Sequence, residues 1–484
     1  MTAMNIAYPE IVVIATAFIV LITDLFMTER SRTALAPIAA LGLLVGITVT
    51  ATLTPVTGEL LGGRFAMDPV AWWFKIVFML ASLVAVIMSM DTLDGRARVR
   101  PRGMGFRGEY YWIMLSSVVG MMLLISARDL VTLFVSLEIA TLPLMVLAAW
   151  RRDDAKSGEA GLKYVILGAL ASAFIVYGFS ILYGLARSTN LNDIARALAD
   201  TNSPAFLLSV GLVLAGVGFK LTMVPFHMWA ADVYQGAPTP VTAYLSVASK
   251  AAGLAFAFQI LFRLFGDSLP QWGALIALLA AITMTLGNVV AIVQHNIKRF
   301  MAFSAISQAG YFLLGFLGDA SEGVPAMIFY LLVYVVSNLA VFACIVWFAN
   351  ETGKEQIEDY RGLSLTNPLT ALCMMIGLFS LAGIPPLSGF VGKFFLFSIA
   401  SKAGYHWLVA VAAVNSTISL YYYLRVVRQM YIEPADKEAQ PPSPSTSISI
   451  TLAILTIVVS ILGIVPTFYQ HIHAATITWL ASLQ

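Results

Sequence analysis

The segment Gly218-Phe-Lys-Leu-Thr-Met-Val-Pro-Phe-His-Met-Trp229 places Lys220 and Pro225 in one apolar run, and Lys250 follows in the next apolar run. Proline inside a helix removes one N–H donor and clashes with the carbonyl four residues earlier, here that of Leu221. An ionisable side chain in hydrocarbon is costly and usually has a function. The segment therefore predicts a broken membrane helix in which a buried lysine lies beside free backbone carbonyls, an arrangement suited to an ion path.

The composition of the whole chain agrees with a location in a membrane. Of its 484 residues, 59% are hydrophobic and 11% are charged, and the mean hydropathy is +0.85. Soluble domains carry about 25% charged residues. The two cysteines, Cys344 and Cys373, lie in apolar runs and form no metal or redox motif. There is also no phosphate-binding glycine loop and no histidine pair at haem spacing. We therefore expect no redox chemistry, no cofactor and no nucleic-acid binding in this chain.

The apolar runs predict an all-α polytopic membrane protein with about fourteen transmembrane helices, since each crossing needs about 20 apolar residues. The predicted spans lie near 8–27, 35–54, 69–91, 110–127, 129–150, 159–186, 205–232, 240–265, 272–294, 299–317, 324–350, 366–401, 405–431 and 447–468. The seventh is interrupted at Pro225 and the twelfth at 383–386. Irregular backbone cannot face lipid, so we expect both breaks to face protein or a wet cavity.

The distribution of the 28 basic residues predicts the orientation. Most of them lie in loops on the side that is reached after an odd number of spans. The basic residues on the opposite side are few: Arg64, Arg128, Arg187, Arg196, Arg263 and Lys402. Cytoplasmic loops carry an excess of lysine and arginine. Both termini are therefore predicted to lie on the non-cytoplasmic side.

An internal repeat is indicated at an offset of 160 residues, where Phe219-Lys-Leu-Thr-Met-Val-Pro225 aligns with Phe379-Ser-Leu-Ala-Gly-Ile-Pro385. A repeat of five spans, an odd number, inserts with inverted orientation, an arrangement that places ion sites on discontinuous helices. Spans 4–8 and 9–13 are then two inverted five-helix repeats. The predicted segments are 1–109, with three helices, the first repeat at 110–265, the second at 272–431, and a C-terminal helix within 432–484.

Glu138 is the only acidic residue near the middle of a predicted span, and Lys220 lies at a similar depth. A Glu–Lys pair in a low dielectric responds to any nearby charge, which a gated proton relay requires. The alternative is a static ion pair that fixes helix packing, although such pairs contribute little net stability. We interpret Glu138 and Lys220 as a pair involved in proton transfer.

Other titratable side chains in or near the spans differ in depth. Lys250 and Lys393 are predicted near mid-depth, where a lysine can act as a proton carrier because desolvation disfavours its charged form. Lys163 and Lys75 lie nearer span ends, from which a long side chain can reach the interface. His295, beside Asn296 and Lys298, is a further candidate relay between the halves, or a histidine that binds helix-end carbonyls.

Three motifs carry a resemblance to a known family. They are Leu133-Phe-Val-Ser-Leu-Glu138-Ile-Ala-Thr-Leu-Pro143, Val224-Pro-Phe-His-Met-Trp-Ala-Ala-Asp-Val-Tyr-Gln-Gly-Ala-Pro-Thr-Pro-Val241 and Gly383-Ile-Pro-Pro-Leu-Ser-Gly-Phe-Val-Gly-Lys393. The chain resembles, over essentially its whole length, the antiporter-like membrane subunits of respiratory NADH:quinone oxidoreductase (complex I), and the subunit N family in particular. The first and third motifs resemble the wider Mrp-like antiporter family as well.

The resemblance implies a role for residues already selected. Glu138 matches the family's acid of the fifth helix, and Lys220 matches the lysine of the broken seventh helix. Lys250 matches the lysine of the eighth helix, Lys393 that of the twelfth, and Lys163 a lysine that modulates the Glu–Lys pair. The implied function is proton translocation coupled to quinone reduction elsewhere in the complex. FMN, iron–sulfur clusters and quinone would then belong to partner subunits.

The resemblance also implies partners and a location. The partners would be the neighbouring antiporter-like and small subunits of the membrane arm, together with lipids. The location would be the bacterial inner membrane or an equivalent energy-transducing membrane. Three different functions stay open: a cation/proton antiporter or one of its subunits, the corresponding subunit of the photosynthetic plastoquinone-linked complex, and a structural arm subunit without a conducting path.

Overall fold

The computed structural model describes residues 3–29, 31–53, 57–99, 104–199, 201–266, 269–435, 442–465 and 467–481. These residues form helices almost throughout. The exception is a small hairpin of strands β1 (Gly58–Leu60) and β2 (Phe65–Met67), which pair antiparallel with Gly58 opposite Met67. Arg30, Arg100, Arg102 and Lys437, four of the basic residues used to predict the orientation, lie outside the described residues.

Nineteen α-helices lie within the described residues. They are α1 Tyr8–Phe26, α2 Leu35–Thr52, α3 Pro69–Leu93, α4 Arg107–Ser126, α5 Leu130–Ala148, α6 Ala155–Ala186, α7 Leu191–Leu198, α8 Pro204–Leu221, α9 Met228–Gly236, α10 Thr239–Phe258, α11 Leu269–Ile292, α12 Ile297–Leu313, α13 Ala320–Thr352, α14 Leu363–Thr366, α15 Pro368–Ala382, α16 Ser388–Lys402, α17 His406–Tyr431, α18 Thr446–Ile464 and α19 Thr467–Ala481.

Twelve helices in the described part of the chain are long and apolar enough to cross a membrane. They correspond to all of the predicted spans except the tenth and the twelfth. The tenth corresponds to α12, a helix of 17 residues, and the twelfth is divided into α15 and α16, of 15 residues each. The polytopic all-helical fold is therefore confirmed, while the number fourteen stays a prediction.

Both predicted breaks are present. Helix α8 ends at Leu221, and Thr222 follows in the left-handed conformation with φ 61°. Helix α15 ends at Ala382, and Gly383 takes the equivalent position with φ 86°. A left-handed residue commonly ends a helix, since it turns the chain away from the helix axis. The chain resumes as α9 after the first break and as α16 after the second.

Helix α13 lies at the centre of the molecule. It has 33 residues and is buried almost throughout its length. It packs against α3, α10, α15, α16, α18 and α19. A helix that is apolar on all sides is surrounded by other elements. Because α13 contacts helices from all four predicted segments, those segments share one interior, and their boundaries stay a prediction.

The elements that were not predicted from the sequence include the hairpin, the short amphipathic helix α7, the four-residue helix α14, and α19. Helix α19 follows α18 near the C-terminus and packs against α3 and α13. Its 15 residues are too few and too polar to give the signal of a spanning helix. It is therefore recognised only from its packing.

A buried charge cluster of Asp68, Arg128 and Arg263 lies at the start of α3. Asp68 caps α3 by accepting a hydrogen bond of 2.7 Å from the backbone N–H of Ala71. Its other oxygen accepts from Arg128 at 2.6 Å and from Arg263. Burial alone raises the pKa of Asp68, but Arg263 and Arg128 outweigh this effect and lower the pKa below its usual value.

We predict that Asp68→Asn lowers the unfolding midpoint of the purified protein in detergent, because it removes the carboxylate that two buried guanidinium groups share. Removing one partner of a buried ion pair costs about 3–5 kcal/mol. Because the pKa of Asp68 is lowered in the fold, its stabilising effect is present above about pH 4 and disappears at lower pH. The control is Glu29→Gln, which removes an exposed pair with Arg32. Equal midpoints for the two variants would contradict the role of the cluster.

Candidate site on the buried lysine axis

Glu138 lies on α5, and its side chain is half-buried. The hydroxyl of Ser172, on α6, donates a hydrogen bond of 2.6 Å to its Oε1 atom. Thr141 lies three residues later on α5, so its side chain is on the same face as Glu138. The carboxylate and this hydroxyl therefore share the surface that α5 presents to the interior.

Lys220 occupies the last turn of α8, and only 4% of its surface is exposed. Its Nζ atom donates a hydrogen bond of 3.1 Å to Thr141 Oγ1. No ion pair within 4.0 Å joins Lys220 to Glu138 in the described part of the chain, although Glu138 is the acidic group whose charge acts on Lys220. The structure thus brings the two predicted residues to one face of α5, with Lys220 bound to the hydroxyl of Thr141.

Lys250 binds the backbone at the first break. Its Nζ atom donates a hydrogen bond of 2.8 Å to the carbonyl of Leu221 and also contacts Thr222 Oγ1. The Leu221 carbonyl is the one that Pro225 was expected to free. A carbonyl without a partner in a buried site is costly. The donor is therefore Lys250, not the neighbouring Lys220.

Lys393 has the same function at the second break. Its Nζ atom donates to the carbonyl of Ala382 at 3.0 Å and to Ser416 Oγ at 3.3 Å. The amine also lies 4.5 Å from the centre of the Tyr311 ring. Ser416, on α17, donates to the same carbonyl at 2.9 Å. At each break, a buried lysine therefore binds the last carbonyl of the first half-helix, that of Leu221 or of Ala382.

Polar side chains of α12 and α13 bind α10 near Lys250 and the end of α15 near Lys393, and they were not predicted from the sequence. Asn338 and Tyr334, on α13, donate to the Oγ atom and the carbonyl of Ser246 at 2.5 and 2.8 Å. Ser246 lies one turn before Lys250. At the second break, Gln308 of α12 donates to the carbonyl of Leu381 at 3.1 Å, and Tyr330 donates to Gln308.

Single amides in long apolar helices are the signal that would have found two of these residues. Asn338 and Gln308 are both almost completely buried. Side-chain amides inside membrane proteins form hydrogen bonds between helices, because lipid supplies no partner. Neither side chain is charged, so the presence of a buried charge does not identify them.

The two remaining candidates, Lys163 and His295, lie away from Lys220, Lys250 and Lys393, the three buried lysines that we call the lysine axis. Lys163 pairs with Asp232 at 2.6 Å and with Glu159 at 2.7 Å, and 40% of its side chain is exposed. His295 lies in the connection between α11 and α12 and is exposed. Its backbone carbonyl accepts a hydrogen bond from Ile357. The structure therefore places Glu138, Lys220 and Lys250 around the first break and Lys393 at the second, and it places these two candidates at neither.

Among the described residues, no group of three or more His, Cys, Asp or Glu side chains is arranged to hold a metal ion. The chemistry available along the axis is that of amines, hydroxyls, amides and carbonyls in an apolar interior. Amines and hydroxyls exchange protons through hydrogen bonds. Together with the two broken helices, these groups define the class of antiporter-like membrane proteins.

Comparison with known proteins identifies the family. Residues 127–419 match the model of the NADH:quinone oxidoreductase/Mrp antiporter transmembrane family. NADH-quinone oxidoreductase subunit N of Moorella thermoacetica is 40% identical over 96% of this chain and 97% of its own. The chain therefore belongs to the NADH-quinone oxidoreductase subunit N family and is a membrane protein.

Solved structures agree with this assignment. A chain of respiratory complex I from Thermus thermophilus with bound aureothin is 31% identical, with a TM-score of 0.79 over 95% of this chain and 97% of that chain. A chain of the Mrp complex from Dietzia sp. is 22% identical, with a TM-score of 0.83 over 98% and 97% of the two chains. The second similarity is one of fold alone.

We predict that Gly253→Ala destabilises the first break. A methyl group at Gly253 would lie 2.6 Å from the carbonyl oxygen of Lys220, so α8 and α10 must separate. Overpacking of this kind costs about 1–3 kcal/mol. The control is Gly211→Ala in α8, where an added methyl group meets no atom within 4 Å. A lower unfolding midpoint for Gly253→Ala alone would support the close packing, and equal midpoints would contradict it.

Proposed function

We propose that this chain moves protons across the membrane as a subunit of the membrane arm of NADH:quinone oxidoreductase. Membership in the subunit N family supports the assembly. The observation that supports proton transfer is the axis of buried amines, in which Lys250 and Lys393 bind the free carbonyls of the two helix breaks. Its partners are the neighbouring antiporter-like and small membrane-arm subunits. FMN, iron–sulfur clusters and quinone belong to other subunits in this proposal.

The proposed transfer begins at Glu138 and Lys220. A conformational or electrostatic signal from quinone reduction alters the interaction between them. Lys220 is bound to a neutral hydroxyl, Thr141, so it can approach Glu138 without first breaking an ion pair. Adding or removing charge at Glu138 then changes how strongly Lys220 holds its proton.

The next step passes from the first break to the second. Lys220 lies in the last turn of α8, and the amine of Lys250 binds the carbonyl of the next residue, Leu221. A charge change at either amine acts strongly on the other in this low-dielectric interior. From Lys250, the buried polar groups of Ser246, Asn338 and Gln308 lie along the way to Lys393. Lys393 is the proposed last carrier of the axis.

This proposal predicts that Lys220→Ala and Lys393→Ala each lower the number of protons pumped per electron in the reconstituted complex. Each substitution removes a proton carrier while the redox subunits are unchanged. The measurement compares proton uptake into vesicles with the rate of NADH oxidation. The expected loss is at least twofold for each variant.

A matched control for Lys393→Ala is available on the same helix. Lys402→Ala removes an amine that is exposed and paired with Glu322. It is expected to leave proton pumping at the level of the unaltered complex. Full pumping and full activity in both Lys220→Ala and Lys393→Ala would exclude the proposed axis and favour a structural arm subunit.

Purification distinguishes the proposed assembly from a free cation/proton antiporter. NADH-oxidising and iron–sulfur subunits that copurify with this chain would exclude the free antiporter. A particle that lacks them, together with sodium-dependent pH sensitivity in a strain without the protein, would favour the antiporter instead.

The proposed location is the bacterial inner membrane, with both termini on the non-cytoplasmic side. The distribution of basic residues supports this orientation. An alkaline phosphatase fused after Gln484 is therefore expected to be active, because the enzyme folds only outside the cytoplasm. The control is the same fusion placed in the connection between α11 and α12, which is expected to be inactive. The reverse pattern would contradict the orientation.

A further inference from the structure

The carboxylate of Asp232 contacts two cations that belong to different halves of the protein. Its Oδ2 atom lies 2.6 Å from Lys163 Nζ on α6. Its Oδ1 atom lies 2.6 Å from Arg299 Nη1 on α12. Asp232 itself is on α9, the half-helix that follows the first break. One side chain therefore connects α6, α9 and α12.

Arg299 is held firmly on its side of this bridge. Its guanidinium also donates to Gln235 at 3.2 Å and to Gln294 at 3.3 Å. The neighbouring Lys298 donates to the carbonyl of Ala237, at the end of α9, and pairs with Glu355 at 2.7 Å. The start of α12 thus binds both the carboxylate and the last residues of α9.

Lys163 is the more exposed end of this bridge, and it is far from Glu138. Besides Asp232, its amine pairs at 2.7 Å with Glu159, an exposed residue one turn earlier on α6. Ser172, which binds Glu138, lies nine residues after Lys163, a separation of about 13 Å along the helix axis. A lysine side chain is too short to span that distance. In this arrangement the amine of Lys163 therefore does not reach Glu138.

We propose that Asp232 is a positioning residue that holds the charge of Lys163 beside α9 and couples it, through Arg299, to the second half of the protein. This inference rests on the proposed proton transfer at Glu138 and Lys220. Half-exposed ion pairs contribute little net free energy. Lys163 can therefore leave Asp232 during turnover, whereas Arg299 stays in place through its additional hydrogen bonds.

The connection of Asp232 to the axis is mechanical as well as electrostatic. Trp229, three residues before Asp232, stacks on Tyr164, the residue after Lys163, with ring centres 4.4 Å apart. Trp229 also donates a hydrogen bond of 3.2 Å to the carbonyl of Phe219, which precedes Lys220. A movement of α9 against α6 therefore reaches the turn that carries Lys220.

The test is Asp232→Asn in the intact complex, reconstituted in vesicles. The asparagine keeps the shape of the side chain but removes the charge that Lys163 and Arg299 share. We expect the protons pumped per electron to fall at least twofold while NADH oxidation continues. Asp232→Glu, which restores the carboxylate, is expected to recover most of the loss. A residue needed only for packing would not distinguish these two variants by charge.

The matched control is Glu159→Gln. It removes the other carboxylate partner of the same amine but has no connection to α12. Pumping at the unaltered level is expected for this variant. A loss as large as that of Asp232→Asn would overturn the proposal, because it would assign the effect to Lys163 alone and not to the bridge.

Arg299→Gln tests the other end of the bridge, and it also tests the proposal if the complex that carries Asp232→Asn does not assemble. The single variants are expected to lose pumping to a similar degree, and the double variant to lose no more than either, since contacting residues are not additive. Full pumping in Arg299→Gln would overturn the proposal. If Lys220→Ala loses pumping while Asp232→Asn keeps it, only the role of Asp232 is wrong. If Lys220→Ala keeps full pumping, the proposed axis itself fails.

Discussion

A backbone carbonyl left free inside an apolar interior needs a donor, and this requirement determines the arrangement of the site. Breaking α8 and α15 frees the carbonyls of their last turns where water and lipid supply no partner. The amines of Lys250 and Lys393 bind Leu221 and Ala382, and each is thereby fixed in a buried position. The cost of a buried amine and the cost of a free carbonyl are reduced by the same contact.

The two breaks satisfy this requirement with different connectivity. Lys250 reaches the first break from α10, whereas Lys393 belongs to α16, the continuation of the helix that is broken. Counted from the last residue of each first half-helix, the position of Lys220 is taken in the second half by Leu381, and Ser380, one residue earlier, pairs with Ser337 of α13 at 2.7 Å. The first half therefore holds two amines and an acid near its break, and the second half holds one amine. This asymmetry distinguishes the two ends of the proposed transfer.

Helix α13 and the ion pairs at the start of α12 join the halves in different ways. Helix α13 supplies neutral polar groups inside the core, where unsatisfied charges are expensive and amides or hydroxyls are tolerated when bonded. The ion pair between Arg299 and Asp232 lies nearer the surface, with both side chains partly exposed, whereas Lys298 is buried and pairs with the partly exposed Glu355. The interior connection consists of hydrogen bonds between neutral groups, and the outer connection consists mainly of ion pairs.

The sequence by itself predicted the membrane location, most of the long helices and the two breaks, and it selected Glu138, Lys220, Lys250 and Lys393 as candidates. Those features follow from local quantities, namely the length of apolar runs, the geometry of proline and the cost of a buried charge. The partners were decided by the tertiary structure. Lys220 binds Thr141 at a separation of 79 residues, and Lys163 binds Asp232 at a separation of 69. Such pairings depend on how helices pack, because one helix face offers several partners and only the neighbouring helix selects among them.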